Sequence, residues 1–277
     1  MQAHAKLNLT LDILRRRSDG YHDLRMVMQS IELHDDVRLT IGDCDGIVCR
    51  CGDLPGDETN LAYRAADEFF RRTGKSADVC IDIKKRIPVA AGMAGGSADA
   101  AAVLRALRTM LCPEMPDSEL EALGAVIGSD VPYCIRGGTA LAEGRGERLR
   151  SLRAAPQFHT VLCKPDFSIS TPELFSRVDV SALRIRPDTG GMLAAIERHD
   201  ASGVLMRVKN VFEEVLAPEQ GEVLRIKERL VSLGAEAAAM TGSGPTVFGL
   251  FRDEHRAAQA YLALRTAYRQ TYLTRFV

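Results

Sequence analysis

Three features of this chain have the residue types and spacing to handle phosphate. They are a glycine-rich stretch, PVAAGMAGGSADAAA at Pro88–Ala102, an early lysine, Lys6, and an aspartate set between a glycine turn and a proline, Asp130. Gly92, Gly95 and Gly96 permit backbone torsions and close approaches that a side chain would block. Val79, Ile81 and Ile83 alternate with polar residues, so a strand leads in, while Ala98–Leu111 predicts a helix with Ser97 as its cap. A strand, a glycine loop and a helix N-terminus leave unpaired N–H groups aimed at one spot, which is a seat for phosphate. A tight turn before a helix would explain the same glycines without any ligand.

Two common phosphate loops are excluded by inspection. The P-loop needs a glycine five residues before Gly-Lys-Ser, and Phe69 stands at that distance from Gly74-Lys75-Ser76. Gly74 reads instead as a helix C-terminal glycine. The dinucleotide pattern fails too, because Leu149 sits where Gly144-Arg145-Gly146 would need its last glycine.

Phosphoryl transfer also needs positioned cations, a carboxylate to hold metal or accept a proton, and exclusion of water. Lys6 lies on the polar face of a strand whose other face is Leu7, Leu9, Leu11 and Ile13; a solvated strand lysine fits that position equally. Asp130, in Gly128-Ser129-Asp130-Val131-Pro132, is fixed in a non-helical setting, although ordinary turn duty explains it as well. Gly242-Ser243-Gly244-Pro245 is a second anion-nest candidate, or simply a hairpin turn.

The elements that would position these residues are legible in outline. Strands are expected at Met26–Leu33, Val37–Ile41, Gly46–Cys51 and Thr160–Lys164, and at the C-terminal stretch from Ala267. Asn60 is placed to cap a helix that Gly74 ends, and a second helix starts at Pro116-Asp117-Ser118 and stops near Gly128. Pro172–Val178, Gly191–Arg198, Gln220–Gly234 and the stretch from Asp253 read as further helices. This pattern predicts an α+β fold in two lobes, residues 1–152 and 153–277.

Composition narrows the partners. A net charge of −1 leaves no basic excess to neutralise a nucleic-acid backbone, so nucleic acid is not expected. No apolar run is long enough to cross a bilayer. Seven cysteines form no Cys-x-x-Cys pair and stand near no histidine at metal spacing, so reduced thiols and no built-in metal site are expected. The opening MQAHAKLNL moves directly into strand alternation rather than a secretory signal, which points to the cytoplasm.

The order and company of these motifs resemble a known family. PVAAGMAGGSADAA is similar to the nucleotide-phosphate loop of the GHMP kinase superfamily, with Met93-Ala94 in place of the usual Leu-Gly. MTGSGPTVFGLF resembles that superfamily's C-terminal glycine motif. AKLNLTLDILRRRSDGYHDL and GSDVPYCIRGGTALAEGRGERL are similar to the branch that phosphorylates 4-diphosphocytidyl-2-C-methyl-D-erythritol in the non-mevalonate isoprenoid route. Agreement is weakest between about Asp179 and Val208. His4 replaces a common proline, and Asn210-Val211-Phe212-Glu213 departs modestly from Asn-Asp-Leu-Glu.

The resemblance implies a two-lobed GHMP kinase fold. The N-terminal lobe would be like ribosomal protein S5 domain 2 and the C-terminal lobe an α/β-sandwich, with ATP and Mg²⁺ as cofactors. Lys6 and Asp130 would form the catalytic pair. Pro88, Val89, Ala90, Ala91, Gly92, Met93, Ala94, Gly95, Gly96 and Ser97 would hold the ATP phosphates, with Ser97 near the metal and Asn60 and Lys85 on the adenine side. Asn8, Tyr21, His22 and Phe175 would hold the acceptor: Tyr21 and Phe175 on the faces of cytosine, His22 at its edge, Asn8 near the methylerythritol. The small-molecule acceptor would be the partner, and the enzyme would act as a monomer or weak homodimer.

Two rival readings remain at this level. A homoserine or mevalonate-type kinase would share both glycine loops but lack Asp19-Gly20-Tyr21-His22. A nucleotide-binding regulator would keep the loops and need neither Lys6 nor Asp130.

Overall fold

The computed structural model describes all residues from Met1 to Val277. Alternating apolar residues build β1 (Gln2–Arg16), which extends the predicted strand at both ends. Leu7, Leu9, Leu11 and Ile13 are buried, but so are Lys6, Asn8, Thr10 and Asp12 on the opposite face. A strand covered on both faces must find partners for its polar side chains. The strands expected at 26–33 and 37–41 are one, β2 (His22–Ile41). The acidic pair Asp35-Asp36 does not interrupt it, because Asp35 turns inward to Lys85 and to the backbone N–H of Ile87.

The chain continues through β3 (Ile47–Arg50), α1 (Leu61–Thr73), β4 (Val79–Lys84), α2 (Gly95–Leu111), α3 (Asp117–Ile127) and α4 (Val131–Arg136). Then follow β5 (Thr139–Gly144), β6 (Arg148–Ser151), β7 (His159–Lys164), α5 (Thr171–Ser176), α6 (Thr189–Glu197), α7 (Ala201–Leu205) and β8 (Lys209–Asn210). Last come α8 (Glu222–Ser232), β9 (Ala237–Met240), β10 (Val247–Phe251), α9 (Glu254–Arg265) and β11 (Gln270–Arg275). Asn60 and Gly74 end α1 as expected: the Asn60 side chain accepts from Ala62 N–H, and Gly74 takes a left-handed φ of 67°. The short helices α4 and α7 are additions that the sequence did not announce.

Packing groups the chain into two compact units, each discontinuous. One comprises Met1–Ala5, Leu33–Val89 and Ala94–Gly137; the other comprises Lys6–Glu32, Ala90–Met93 and Gly138–Val277. In the first unit β4 pairs antiparallel with Asp36–Ile41 of β2 and parallel with β3. Its helical layer centres on α2, whose small residues Ala98, Ala100, Ala101 and Ala102 are buried on nearly every side and let α1 and α4 pack closely.

In the second unit, Leu24–Gln29 of β2 pair antiparallel with β5, and β8 joins β1 in parallel at Thr10 and Leu11. A separate antiparallel sheet runs β11-β7-β10-β9. The glycine motif after Met240 is the hairpin turn between β9 and β10, with the Val247–Met240 pair at its base.

Asn210, fully buried, fixes this turn. Its amide donates to Met240 O and Gly242 O, both at 2.8 Å, and its oxygen accepts from Phe212 N–H at 3.0 Å. Asn210→Ala would leave two carbonyls and an N–H unpaired in the interior, at a cost of about 2–4 kcal/mol. Urea unfolding of the variant should show that loss in the midpoint, and a change below about 0.5 kcal/mol would remove Asn210 as the anchor of the turn.

Candidate active site

The two glycine segments singled out by the sequence meet in the second unit. A Cβ added to Gly92 would lie 2.2 Å from Thr241 O and 2.9 Å from Gly244 N, and one added to Gly242 would lie 2.6 Å from Gly92 O. Only glycine allows that approach. β1 closes the cluster: Lys6 N–H donates to Met93 O at 3.2 Å and Asn8 N–H to Thr241 Oγ1 at 3.1 Å. The buried Thr241 hydroxyl in turn donates to Gly92 O at 3.4 Å. Lys6 is 4% exposed and donates from Nζ to Asn8 Oδ1 at 2.7 Å, so it is not a solvated strand lysine. Asn8 also donates to Met26 Sδ at 3.3 Å.

The loop itself has the geometry of an anion nest. Left-handed φ recurs at every second residue: 50° at Ala90, 72° at Gly92 and 58° at Ala94. Such alternation turns successive N–H groups toward one concave side. Pro88, Ala91 and Met93 are buried, whereas Val89, Ala90 and Gly96 are exposed. The expected start of the helix is corrected here. Ala94, not Ser97, is the N-cap and has no side-chain cap bond, because its left-handed turn lets Gly95 and Gly96 enter the helix. Ser97 lies in the first turn of α2, where the unpaired N–H groups belong to Gly95, Gly96 and Ser97.

In the first unit, the Lys85 ammonium is held between Asp35 and Asp99, the latter at 2.6 Å. Burial lowers its pKa, but Asp99 and Asp35 outweigh that and leave it raised. Asn60 donates to Pro55 O at 2.8 Å in addition to capping α1. Asp130 is half-buried at the N-cap of α4, with a φ of −88° and a ψ of −12°. Its expected non-helical setting is thus the threshold of a short helix, with Pro132 in the first turn.

The acceptor candidates lie in the second unit. His22 stacks on Phe175 with ring centroids 5.0 Å apart and planes at 21°, and Phe212 supports Phe175 edge-on at 4.9 Å. Burial, and then Arg16, lower the His22 pKa below the ordinary imidazole value. A neutral imidazole offers one donor and one acceptor, which suits the edge of an uncharged base. Tyr21 is 57% exposed, and the Arg145 guanidinium covers its ring at 5.0 Å. Phe175 is therefore paired with His22, while Tyr21 is paired with Arg145.

Three residues of this region had no role in the sequence reading. Thr241 and Asn210 support the meeting of the glycine segments, and Asp99 holds Lys85. Asp99 did carry a signal, since it is a lone charge among the alanines of α2.

Residues 60–138 match the N-terminal domain of the GHMP kinases and residues 192–270 match their C-terminal domain. The 4-diphosphocytidyl-2-C-methyl-D-erythritol kinase of Clostridium kluyveri is 42% identical over 279 residues, covering 100% of this chain and 99% of that protein. The chain belongs to the 4-diphosphocytidyl-2-C-methyl-D-erythritol kinase family of the GHMP kinases. A crystal structure of a 4-(cytidine 5'-diphospho)-2C-methyl-D-erythritol kinase agrees with a TM-score of 0.86 at 33% identity, covering 100% of this chain and 98% of that one. Homoserine kinase from Cytophaga hutchinsonii, at 18% identity and a TM-score of 0.72, covers 100% of this chain and 95% of its own and shares the fold.

As a member of this kinase family, the chain places an alanine at 94 where the GHMP loop pattern usually has glycine. With φ at 58°, Ala94 carries a left-handed strain of about 1 kcal/mol that glycine would not. Ala94→Gly should raise the unfolding free energy by about 0.5–1 kcal/mol with turnover retained, measured by urea unfolding beside an initial-rate assay. Destabilisation would show that the alanine methyl does packing work which outweighs the strain.

Proposed function

We propose that this chain transfers the γ-phosphoryl group of ATP to the 2-hydroxyl of 4-diphosphocytidyl-2-C-methyl-D-erythritol, a phosphotransfer to an alcohol acceptor in non-mevalonate isoprenoid synthesis. The observation that carries this reading is the closure of Lys6 and Asn8 onto both glycine segments, within a chain of this family. The N–H groups of the Pro88–Ser97 loop and the head of α2 seat the ATP phosphates. Lys6, buried and oriented by Asn8, offsets charge on the transferring phosphoryl. Asp130 accepts the proton of the attacking hydroxyl as the new O–P bond forms and the bond to ADP breaks. Positioning outweighs base strength, because a loose transition state asks for little prior deprotonation.

The residues present fit a metal ion that arrives on the nucleotide. No group of three or more His, Cys, Asp or Glu side chains could hold one by itself. Ser97, in the first turn of α2, is the side chain placed to touch Mg²⁺. Bound there, the ion would supply charge neutralisation of the β- and γ-phosphates. Asn60 and Lys85 border the adenine in this reading.

His22, with Phe175 behind it, meets the cytosine edge, and Tyr21 offers the ring face opposite Arg145 for stacking. Residues 1–152 and 153–277 act as the two lobes; a sheet built wholly from His159–Arg275 supports that division. All the groups named come from one chain, in keeping with a monomer or weak homodimer. Seven free thiols accord with the cytoplasm. No helix is long and apolar enough to cross a membrane.

The reading is tested by offering ATP and Mg²⁺ with diphosphocytidyl methylerythritol, homoserine or mevalonate as acceptor. ADP release with the first alone is expected, and release with either of the others instead would overturn the substrate assignment. Asp130→Ala should lower kcat by at least a hundredfold while the ATP Kd stays within a few-fold, since a proton acceptor acts mainly in the transition state. Near-normal turnover in that variant would sink the role of Asp130. Tyr21→Ala should raise the acceptor KM at least tenfold and the ATP KM less than twofold; an equal rise in both would take Tyr21 out of the acceptor site.

A further inference from the structure

A buried cluster of charge lies directly under the head of α2. Asp35, fully buried on β2, accepts the backbone N–H of Arg86 and of Ile87, the latter at 2.8 Å, and also binds Lys85. Lys85 reaches from the segment that enters the glycine loop to Asp99 on the helix that leaves it, at 2.6 Å. A Cβ added to Gly95, the first residue of that helix, would sit 3.5 Å from Lys85 Nζ. One ammonium thus ties both ends of the loop between residues 85 and 99. Asp99 is 97% buried (3% exposed), and its second oxygen, Oδ1, has no hydrogen-bond partner.

We propose that Lys85 and Asp99 are positioning residues for the nucleotide-phosphate loop, and that ATP affinity follows the charge on Asp99. This rests on the reading that Pro88–Ser97 seats the ATP phosphates. Lys85 fixes the distance between the loop's two ends, and with it the convergence of the N–H groups at 95–97. Two carboxylates face one ammonium when Asp99 is ionised, leaving an excess negative charge beneath a site meant for an anion. Protonation of Asp99 removes that excess and leaves the Lys85–Asp35 tie in place.

The titration falls in an accessible range. Burial, with Asp35 adding to it against the pull of Lys85, pushes the Asp99 carboxyl up to about 7. The other titratable groups that face it are the Cys49 thiol, raised to about 11 by burial, and the Cys51 thiol, also raised by burial. Both stay neutral between pH 6 and 8, so Asp99 is the group that changes charge. ATP should therefore bind more tightly below pH 7 than above it.

The test is ATP binding by calorimetry, with Mg²⁺, from pH 6 to 8.5, on the full chain and on Asp99→Asn. The wild-type Kd should weaken by on the order of fivefold across that range, relative to Asp99→Asn measured in parallel. Ionisation of ATP itself is common to both proteins and cancels in the ratio. Adding Lys85→Met to Asp99→Asn avoids leaving two carboxylates unpaired, and a melting curve without nucleotide reports whether the fold is kept. The double variant should bind ATP about tenfold more weakly than Asp99→Asn, with the acceptor KM within twofold.

Parallel pH profiles for wild type and Asp99→Asn would overturn the coupling to charge. Equal ATP affinity in the single and double variants would overturn the positioning role of Lys85. Gly96→Val, which places a side chain over the head of α2, separates the two levels of the argument. If it binds ATP as the wild type does, the loop is not the phosphate seat and the proposal falls with that reading. If it loses ATP while the Asp99 and Lys85 variants behave as wild type, the proposal alone falls.

Discussion

The backbone of Gly92 touches the turn at Thr241–Gly244 with no room for a methyl group between them, and much of the chemistry proposed for this chain depends on that contact. The two segments are 149 residues apart in sequence. Holding them together requires a large loss of chain entropy, which a few backbone contacts cannot offset alone. The support comes from around them. β1 donates from Lys6 and Asn8 to either side of the junction, Thr241 bridges it, and Asn210 braces the turn from behind. The catalytic candidates on β1 are therefore also part of the scaffold that brings the glycine segments into register.

Buried charge is the second constraint, and the molecule meets it with short, local pairings. Lys6 uses its neighbour-but-one on the strand, Asn8, and Asp12 uses Arg186 at 2.9 Å. Lys85 is enclosed by two carboxylates. Each of these charges would be costly in isolation, and each is affordable only because a partner lies within hydrogen-bond reach. None of these pairings adds much net stability. Their value is geometric, since a charge with a fixed partner points in one direction.

Much of this was legible in the sequence, for reasons that can be stated residue by residue. The Asn60 cap and the Gly74 stop of α1 are local signals and fall where expected, as do β7, α3 and α9. The GHMP family and its fold could be read because glycine spacing and the Asp-Gly-Tyr-His segment leave few alternatives. Local rules failed where a tertiary partner decided the outcome. Asp35-Asp36 looked like a break between strands until Asp35 found Lys85 and two N–H groups. Ser97 looked like a cap because serine favours that role, but a left-handed alanine three residues earlier took it. The burial of both faces of β1 was hidden, because alternation reports a strand and not what covers it. Likewise, Phe175 and Tyr21 were grouped as two walls of one slot, whereas stacking joins Phe175 to His22.

The discontinuous make-up of the compact units has a consequence for how the protein comes into being. A ribosome releases Lys6–Glu32 early, yet that stretch belongs to the unit completed only by Gly138–Val277. The first unit has all its residues once Gly137 has emerged, and can settle while translation continues. For the rest of synthesis, the middle of β1 and the start of β2 wait without β5 and β8. These are apolar strand edges, open to mispairing with other nascent chains. The segment that carries Lys6 is thus the one most in need of a chaperone's shelter, and translation speed past residue 138 sets how long it must wait.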